Sequence, residues 1–189
     1  MRHRIFIAIN LPENIRKELI FYQSKWPELP VKWTKKENLH ITLIFLGYLS
    51  DEEVFEVCKA TKKAGIESKP FSVNLNRICY GPPKKMPPRM IWVEGEKSKE
   101  FTLLKNNLEK FLIGSDKIRF SSENRSFSPH ITLGRIKVWE WRKIEPEERP
   151  EIEEEIILNF EVNSVEVMES KLKKGGPEYV VLESANLGK

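Results

Sequence analysis

The tetrapeptide His-Ile-Thr-Leu occurs twice, at 40–43 and at 130–133. The copies stand 90 positions apart and use two of the three histidines in a chain of 189 residues. Each sits in an apolar run, 39–46 and 131–138, rich in the residues that favour strands. In a strand, residues i and i+2 share a face. His40 therefore points with Thr42 and His130 with Thr132, while Ile41, Leu43, Ile131 and Leu133 point into a core. Any fold for this chain has to place two identical imidazole–hydroxyl pairs on rigid, well-anchored strands.

The repetition extends beyond the tetrapeptide. Phe-Ser-Val-Asn begins at Phe71, 31 positions after His40, and Phe-Glu-Val-Asn begins at Phe160, 30 positions after His130. A strand and a helix precede each motif: 4–10 with 12–26, and 89–94 with 98–113. Asn10, Pro12 and Glu13 mark the first helix start. Ser50 with Glu53 is a capping box opening a helix over 51–64. The remaining pattern predicts strands at 31–34, 71–80, 160–169 and 178–184. Loops are predicted at 81–88 and 121–126, a short helix within 145–155, and a turn at 173–177. A period this long excludes a solenoid. The expected architecture is α+β, a single domain over 1–189 built by internal duplication, with repeat halves roughly 4–88 and 89–184. Its two pseudo-symmetric lobes would each be an antiparallel sheet with helices, flanking a central cleft that carries both motifs.

The chemistry of such a cleft follows from its groups. Imidazole titrates near neutrality, so one ring can act as acid while its partner acts as base. Threonine hydroxyls donate to phosphoryl oxygens, and Arg135, five residues after His130, could add a bidentate clamp. Strict alternation puts Arg135 on the face away from His130, so this assignment requires a twist or a bulge. No Asp or Glu stands two or four residues after either histidine, so no metal is expected. His3 reads as an exposed terminal residue.

Apolar residues at 40% and charged residues at 32% suit a globular domain that forms its core without disulfides. Cys58 and Cys79 lack a C-x-x-C spacing and read as thiols of a reducing compartment. No secretory or membrane-spanning apolar segment is visible, so the expected location is cytoplasmic, away from membranes. The formal net charge is +4. Lysines cluster at Lys32/Lys35/Lys36, Lys59/Lys62/Lys63, Lys84/Lys85 with Arg89, and Lys171/Lys173/Lys174. The first and third of these suit a polyanion at the cleft rim, although most charge runs are only solvated faces.

The paired H-x-T-x motifs resemble those of the 2H phosphoesterase superfamily. The stretches 4–9, 33–47, 89–93, 127–135 and 172–182, with Glu37-Asn38-Leu39 before His40 and Gly176-Pro177-Glu178-Tyr179 near the end, are similar to its RNA 2′,3′-cyclic phosphodiesterase branch, also called 2′-5′ RNA ligases. The resemblance implies metal-independent hydrolysis of RNA 2′,3′-cyclic phosphate ends to 2′-phosphates, without cofactor, on tRNA halves or other RNA fragments; a monomer is expected. It implies His40 as proton donor and His130 as proton acceptor, with Thr42, Thr132 and Arg135 holding the phosphate. Phe45 and Trp33 read two ways, as nucleoside contacts or as core residues. Arg89 reads as an RNA contact or as a surface salt bridge. Ligation of tRNA halves is implied as a side activity. The alternatives are a 2H enzyme acting on 2′-5′ oligoadenylate, ADP-ribose cyclic phosphate or an RNA 3′ end, and a non-catalytic RNA- or nucleotide-binding module, against which the intact histidines argue.

Overall fold

A computed structural model describes residues 2–83, 85–122 and 127–188. Nine strands and four α-helices follow in the order β1 (Arg2–Asn10), α1 (Glu13–Gln23), β2 (Val31–Trp33), β3 (His40–Ser50), α2 (Asp51–Ile66), β4 (Phe71–Gly81), β5 (Met90–Gly95), α3 (Lys99–Ile113), β6 (His130–Ile136), α4 (Val138–Trp141), β7 (Glu153–Val162), β8 (Ser164–Lys173) and β9 (Gly176–Asn186). Local signals set the helix starts. The Ser50 hydroxyl accepts from the Glu53 amide at 3.3 Å, and the Ser50 amide donates to the Glu53 carboxylate at 2.7 Å. This capping box satisfies two amides that helix geometry leaves unpaired. Ser98 caps α3 through the Phe101 amide at 3.0 Å.

The strands pair antiparallel in the order β7-β4-β5-β6-β3-β1-β8-β9, with β2 also on β6. At the centre, β3 and β6 share a single ladder pair, Ile41 with Ile131. The sheet is thus two four-stranded antiparallel lobes, β3-β1-β8-β9 and β6-β5-β4-β7, joined where the two motifs run side by side. The lobes are not the sequence halves. β4 leaves the first half to pair with β5, and β8 leaves the second to pair with β1. The two Phe-x-Val-Asn segments are consequently cross-strand partners, Phe71 opposite Val162 and Val73 opposite Phe160.

One expected strand is corrected. The span 160–169 is two strands broken at Asn163, and the first begins at Glu153, inside the acidic stretch read as a short helix. Only Pro146–Glu148 is helical there, as a single 3-10 turn. Ile156, Phe160 and Val162 alternate inward while Ile157 stands 94% exposed. That period of two prevails over the glutamates' weak strand preference. The predicted 121–126 loop lies outside the described residues beyond Ser122.

One face of the sheet carries the main core. Ile5, Ile7, Ile9, Ile41, Leu43, Ile131 and Leu133 are buried there in one cluster with Leu19 of α1, Val57 of α2 and Leu104 and Leu108 of α3. Burial of each such side chain contributes about 1.5–3 kcal/mol. A second, small cluster of Phe6, Ala8 and Met168, with Tyr179 against it, lines the opposite face. His3 is not simply exposed. Its Nδ1 lies 2.7 Å from Glu169 and its Nε2 2.8 Å from Asp51, and these hydrogen bonds, Glu169's first, raise its pKa. Among the described residues no helix is long and apolar enough to cross a membrane.

Candidate active site

The Ile41–Ile131 pair aligns the two motifs and sets the geometry between them. In that antiparallel register His40 lies opposite Thr132 and Thr42 opposite His130. The two histidines are therefore diagonal neighbours on one face, a spacing of about 7–8 Å for such pairs. Ile41, Leu43, Ile131 and Leu133 are buried on the other face, as alternation demands, while both histidines and both threonines are only partly buried.

Each imidazole is tethered in the same way. His40 Nδ1 lies 2.7 Å from the Asn38 carbonyl oxygen, and His130 Nδ1 lies 2.8 Å from that of Ser128. A carbonyl only accepts, so Nδ1 carries a hydrogen in both rings and Nε2 is the nitrogen that exchanges protons. At His40, Nε2 stands 3.0 Å from the Thr42 hydroxyl. Phe6 and Tyr179 enclose this ring, with centroids at 5.0 and 5.2 Å. At His130 the indole of Trp92 stacks at 3.9 Å with an interplanar angle of 24°.

Burial pushes both imidazoles below the ordinary histidine value, opposed at each by the tethering carbonyl. Their charged neighbours differ. His40 is lowered further by the Arg16 guanidinium and by His130, whereas the Glu94 carboxylate works to raise His130. Arg16 reaches from α1 and donates through Nη2 to Asn10 at 3.3 Å, while its buried Nε has no hydrogen-bond partner among the described residues.

The bulge required for Arg135 is present. Against β5, Trp92 pairs with Thr132 but Ile91 with Gly134, so Leu133 is one residue in excess. After this irregularity Arg135 is exposed beside Met90, Nη1 at 3.8 Å from the thioether sulfur. There its charge acts on the Tyr179 phenol, which lies against His40. β3 does the same against β1: Ala8 pairs with Thr42 and Ile7 with Ile44, leaving Leu43 in excess. Phe45 occupies the position in β3 that Arg135 has in β6. It is 71% exposed, 6.1 Å from Phe6 in ring centroids, and so is not a core residue. Gln23 of α1, nearly buried, supports the β6 bulge by donating to the Thr34 and Leu133 carbonyls at 2.9 and 3.1 Å.

Trp33 is half-buried. It packs against the main core, and a Cβ on Gly134 would meet its ring at 2.9 Å. Arg89 is exposed at the start of β5, its carbonyl accepting from the Ile136 amide at 2.9 Å. No contact among the described residues links it to the histidines. Of the lysine clusters, Lys36 pairs with Glu13, Lys59 with Glu56, Lys62 with Glu183, Lys171 with Glu169 and Lys173 with Glu178. Lys84 lies outside the described residues. Lys32 stands opposite Arg135 in the β2–β6 register. Its ammonium lies 3.8 Å from the place a Cβ on Gly176 would occupy, and that of Lys35 is at the same distance from the corresponding point on Gly175. Both ammonium groups thus lie over the diglycine turn, near the Asn38 amide that donates to the Pro177 carbonyl at 2.8 Å.

Trp92, Glu94, Arg16 and Tyr179 are site residues that the sequence reading did not single out. Strand alternation through 90–94 groups Trp92 with Glu94, which was the available signal. Their register against His130 is a tertiary fact.

A family described as LigT-like phosphoesterase matches residues 9–92. A Thermotoga maritima protein named RNA 2′,3′-cyclic phosphodiesterase is 31% identical over 186 residues, covering 95% of this chain and 92% of the relative. The crystal structure of TT0787 from Thermus thermophilus superposes with a TM-score of 0.83 at 30% identity, over 98% of this chain and 99% of that one. That of E. coli LigT complexed with 3′-AMP gives 0.77 at 27% identity, over the full length of both. With two lobes meeting at paired H-x-T-x strands and likeness over nearly its whole length, the chain belongs to the LigT-like family of 2H phosphoesterases.

Proposed function

We propose that the protein hydrolyses the 2′,3′-cyclic phosphate at an RNA end to a 2′-phosphate, using His40 as acid and His130 as base. The observation that carries this reading is the pair of tethered imidazoles, each presenting Nε2 to one cleft from diagonal strand positions. The name of the T. maritima relative supports the substrate class. In the reaction, His130 Nε2 takes a proton from water as the oxygen attacks phosphorus. The bond from phosphorus to O3′ breaks, and His40 Nε2 delivers its proton to the departing oxygen. Thr42, Thr132 and Arg135 hold the non-bridging oxygens, whose negative charge the guanidinium offsets. A 5′-hydroxyl in place of water would form a 2′–5′ linkage by the same two transfers, which is the ligase side activity. RNA fragments and reduced thiols are cytoplasmic, and the free Cys58 and Cys79 suit that location.

Both proton transfers and the charge neutralisation are assigned to side chains, so the reading requires no metal. Glu94, the carboxylate that pairs with His130 in register, is engaged by Arg77 and so is not left free as a metal ligand. A cyclic-ended oligoribonucleotide incubated with enzyme and EDTA should be converted fully, leaving a 2′-phosphate and a free 3′-hydroxyl. Activity lost in EDTA and restored by Zn²⁺ or Mn²⁺ would sink the metal-free mechanism. A 3′-phosphate product would mean that the other oxygen leaves.

A further inference from the structure

His40 and His130 carry the same motif and the same backbone tether, so whatever divides acid from base lies outside the motif. The neighbouring strands supply the difference. β1 runs beside β3 and β5 beside β6 in corresponding register: Ala8 faces Thr42 and Asn10 faces His40, while Trp92 faces Thr132 and Glu94 faces His130. We infer that Trp92 and Glu94 are positioning residues that make His130 the proton acceptor, by fixing its ring and stabilising the imidazolium it becomes. The inference rests on the two-histidine reading above.

Trp92 is held by two contacts. Its indole stacks on the His130 ring and also lies against the backbone of Gly81, where a Cβ would come within 2.2 Å of Cδ2. Only 9% of the residue is exposed, so the imidazole rests on an indole that cannot swing away. An aromatic face stabilises a cation placed on it. Glu94 is held from β4 by Arg77, whose Nε lies 3.2 Å from the Glu94 carboxylate and whose Nη1 lies 3.1 Å from Glu153. Two carboxylates against one guanidinium leave this cluster with a net negative charge beside His130. Facing His130 from β3 is Thr42, with His40 on the diagonal, and beside it on its own strand is Thr132, none of which adds negative charge.

His40 has none of this support. The position matching Trp92 is Ala8 and the position matching Glu94 is the neutral Asn10, which is bound by the cationic Arg16. Around the His40 ring itself stand the Thr42 hydroxyl and the uncharged rings of Phe6 and Tyr179, with Arg135 and Arg4 acting on the Tyr179 phenol; the carboxylate nearby in register, Glu166 opposite Ala8 on β8, is taken up by the Asn10 amide and the Ser164 hydroxyl. A positive surround disfavours an imidazolium at 40 and makes it, once formed, the stronger acid. A negative surround with an aromatic face favours an imidazolium at 130 and makes the neutral ring the stronger base. The directions in which Arg16 and Glu94 act on the two rings agree.

With three histidines in the chain, NMR of histidine-labelled protein follows each ring separately. Glu94→Gln keeps the shape and removes the charge. It should move the His130 titration midpoint down by about half a unit to one unit, with a much smaller change at His40. Trp92→Leu should move His130 in the same direction, and Trp92→Phe, which keeps an aromatic face, should restore most of the difference. In kinetics, Glu94→Gln should lower kcat roughly tenfold with KM little changed. The loss should be equal on the cyclic phosphate and on a nitrophenyl phosphodiester, because both need the base and only the first needs the acid. Unchanged His130 titration, equal shifts at both histidines, or a loss that shrinks on the nitrophenyl ester would overturn the inference. Full activity in His130→Ala would instead remove the two-histidine reading, whatever the titrations show.

Discussion

At the scale of the residue, the proposed mechanism asks two rings with the same tether to do opposite work. The leaving oxygen of a nitrophenyl ester needs no proton, so on that substrate His40→Ala should recover much of its activity. His130→Ala should not, since water still has to be deprotonated. On the RNA substrate each single variant should lose about 10²–10⁴-fold in kcat, and the double variant less than the product of the two. Rescue of His130→Ala in place of His40→Ala would exchange the roles. The motif residues were legible because they repeat: a lone His-x-Thr in a strand carries little information, and two copies spaced 90 apart carry a great deal. Arg135 was only half legible, because alternation gives the wrong face and the bulge that corrects it depends on pairing with β5. Glu94 was not legible. It is one carboxylate among 28 acidic residues until the register places it opposite His130.

At the scale of the element, the irregularities in β3 and β6 decide which side chains reach the cleft. Each motif strand takes one residue too many directly after its threonine, at Leu43 and at Leu133, and so turns the fifth residue after the histidine back to the histidine's face. Gly134 permits this in β6. A Cβ there would stand 2.3 Å from Val31 Cγ1 and 2.9 Å from Trp33, so Gly134→Ala must displace β2 or straighten β6. We expect it to cost about 1–3 kcal/mol of stability and, measured well below Tm, to lower kcat/KM through a misdirected Arg135. Gly47→Ala is the control. Its Cβ meets nothing within 4 Å, but φ is +75°, so it should lower Tm by a strain of about 1–2 kcal/mol and leave kcat/KM alone. Normal kcat/KM in a folded Gly134→Ala protein would show that the bulge does not aim Arg135. Elements with strong end signals, such as α2 behind Ser50 and α3 behind Ser98, were placed from sequence to within a residue or two at their starts. β7 was not, because its outward glutamates mask the inward Ile156, Phe160 and Val162.

At the scale of the whole molecule, the balance between paired and unpaired cations indicates where a polyanion would run. Composition gives a net charge of only +4 and four lysine clusters, of which the sequence singles out the first and third only by their neighbourhood. Folding does so by supplying glutamates to most of them: Glu13 to Lys36, Glu56 to Lys59, Glu183 to Lys62, Glu169 to Lys171 and Glu178 to Lys173. Lys32 and Lys35 face the Gly175-Gly176 turn on the rim that also carries Arg135, where a strand leaving the cyclic phosphate would pass. We expect the Lys32→Gln/Lys35→Gln double variant to weaken binding of a cyclic-ended oligoribonucleotide and to flatten its salt dependence by about 0.7 for each phosphate that is no longer neutralised. Turnover of a cyclic mononucleotide, which has no further phosphates, should be nearly unchanged. Lys59→Gln/Lys62→Gln removes the same charge from a face where each lysine already has a carboxylate, and should alter neither measurement much. Equal weakening by the two double variants would mean that RNA responds to net charge alone. Loss of mononucleotide turnover in the rim variant would place Lys32 or Lys35 at the reacting phosphate itself.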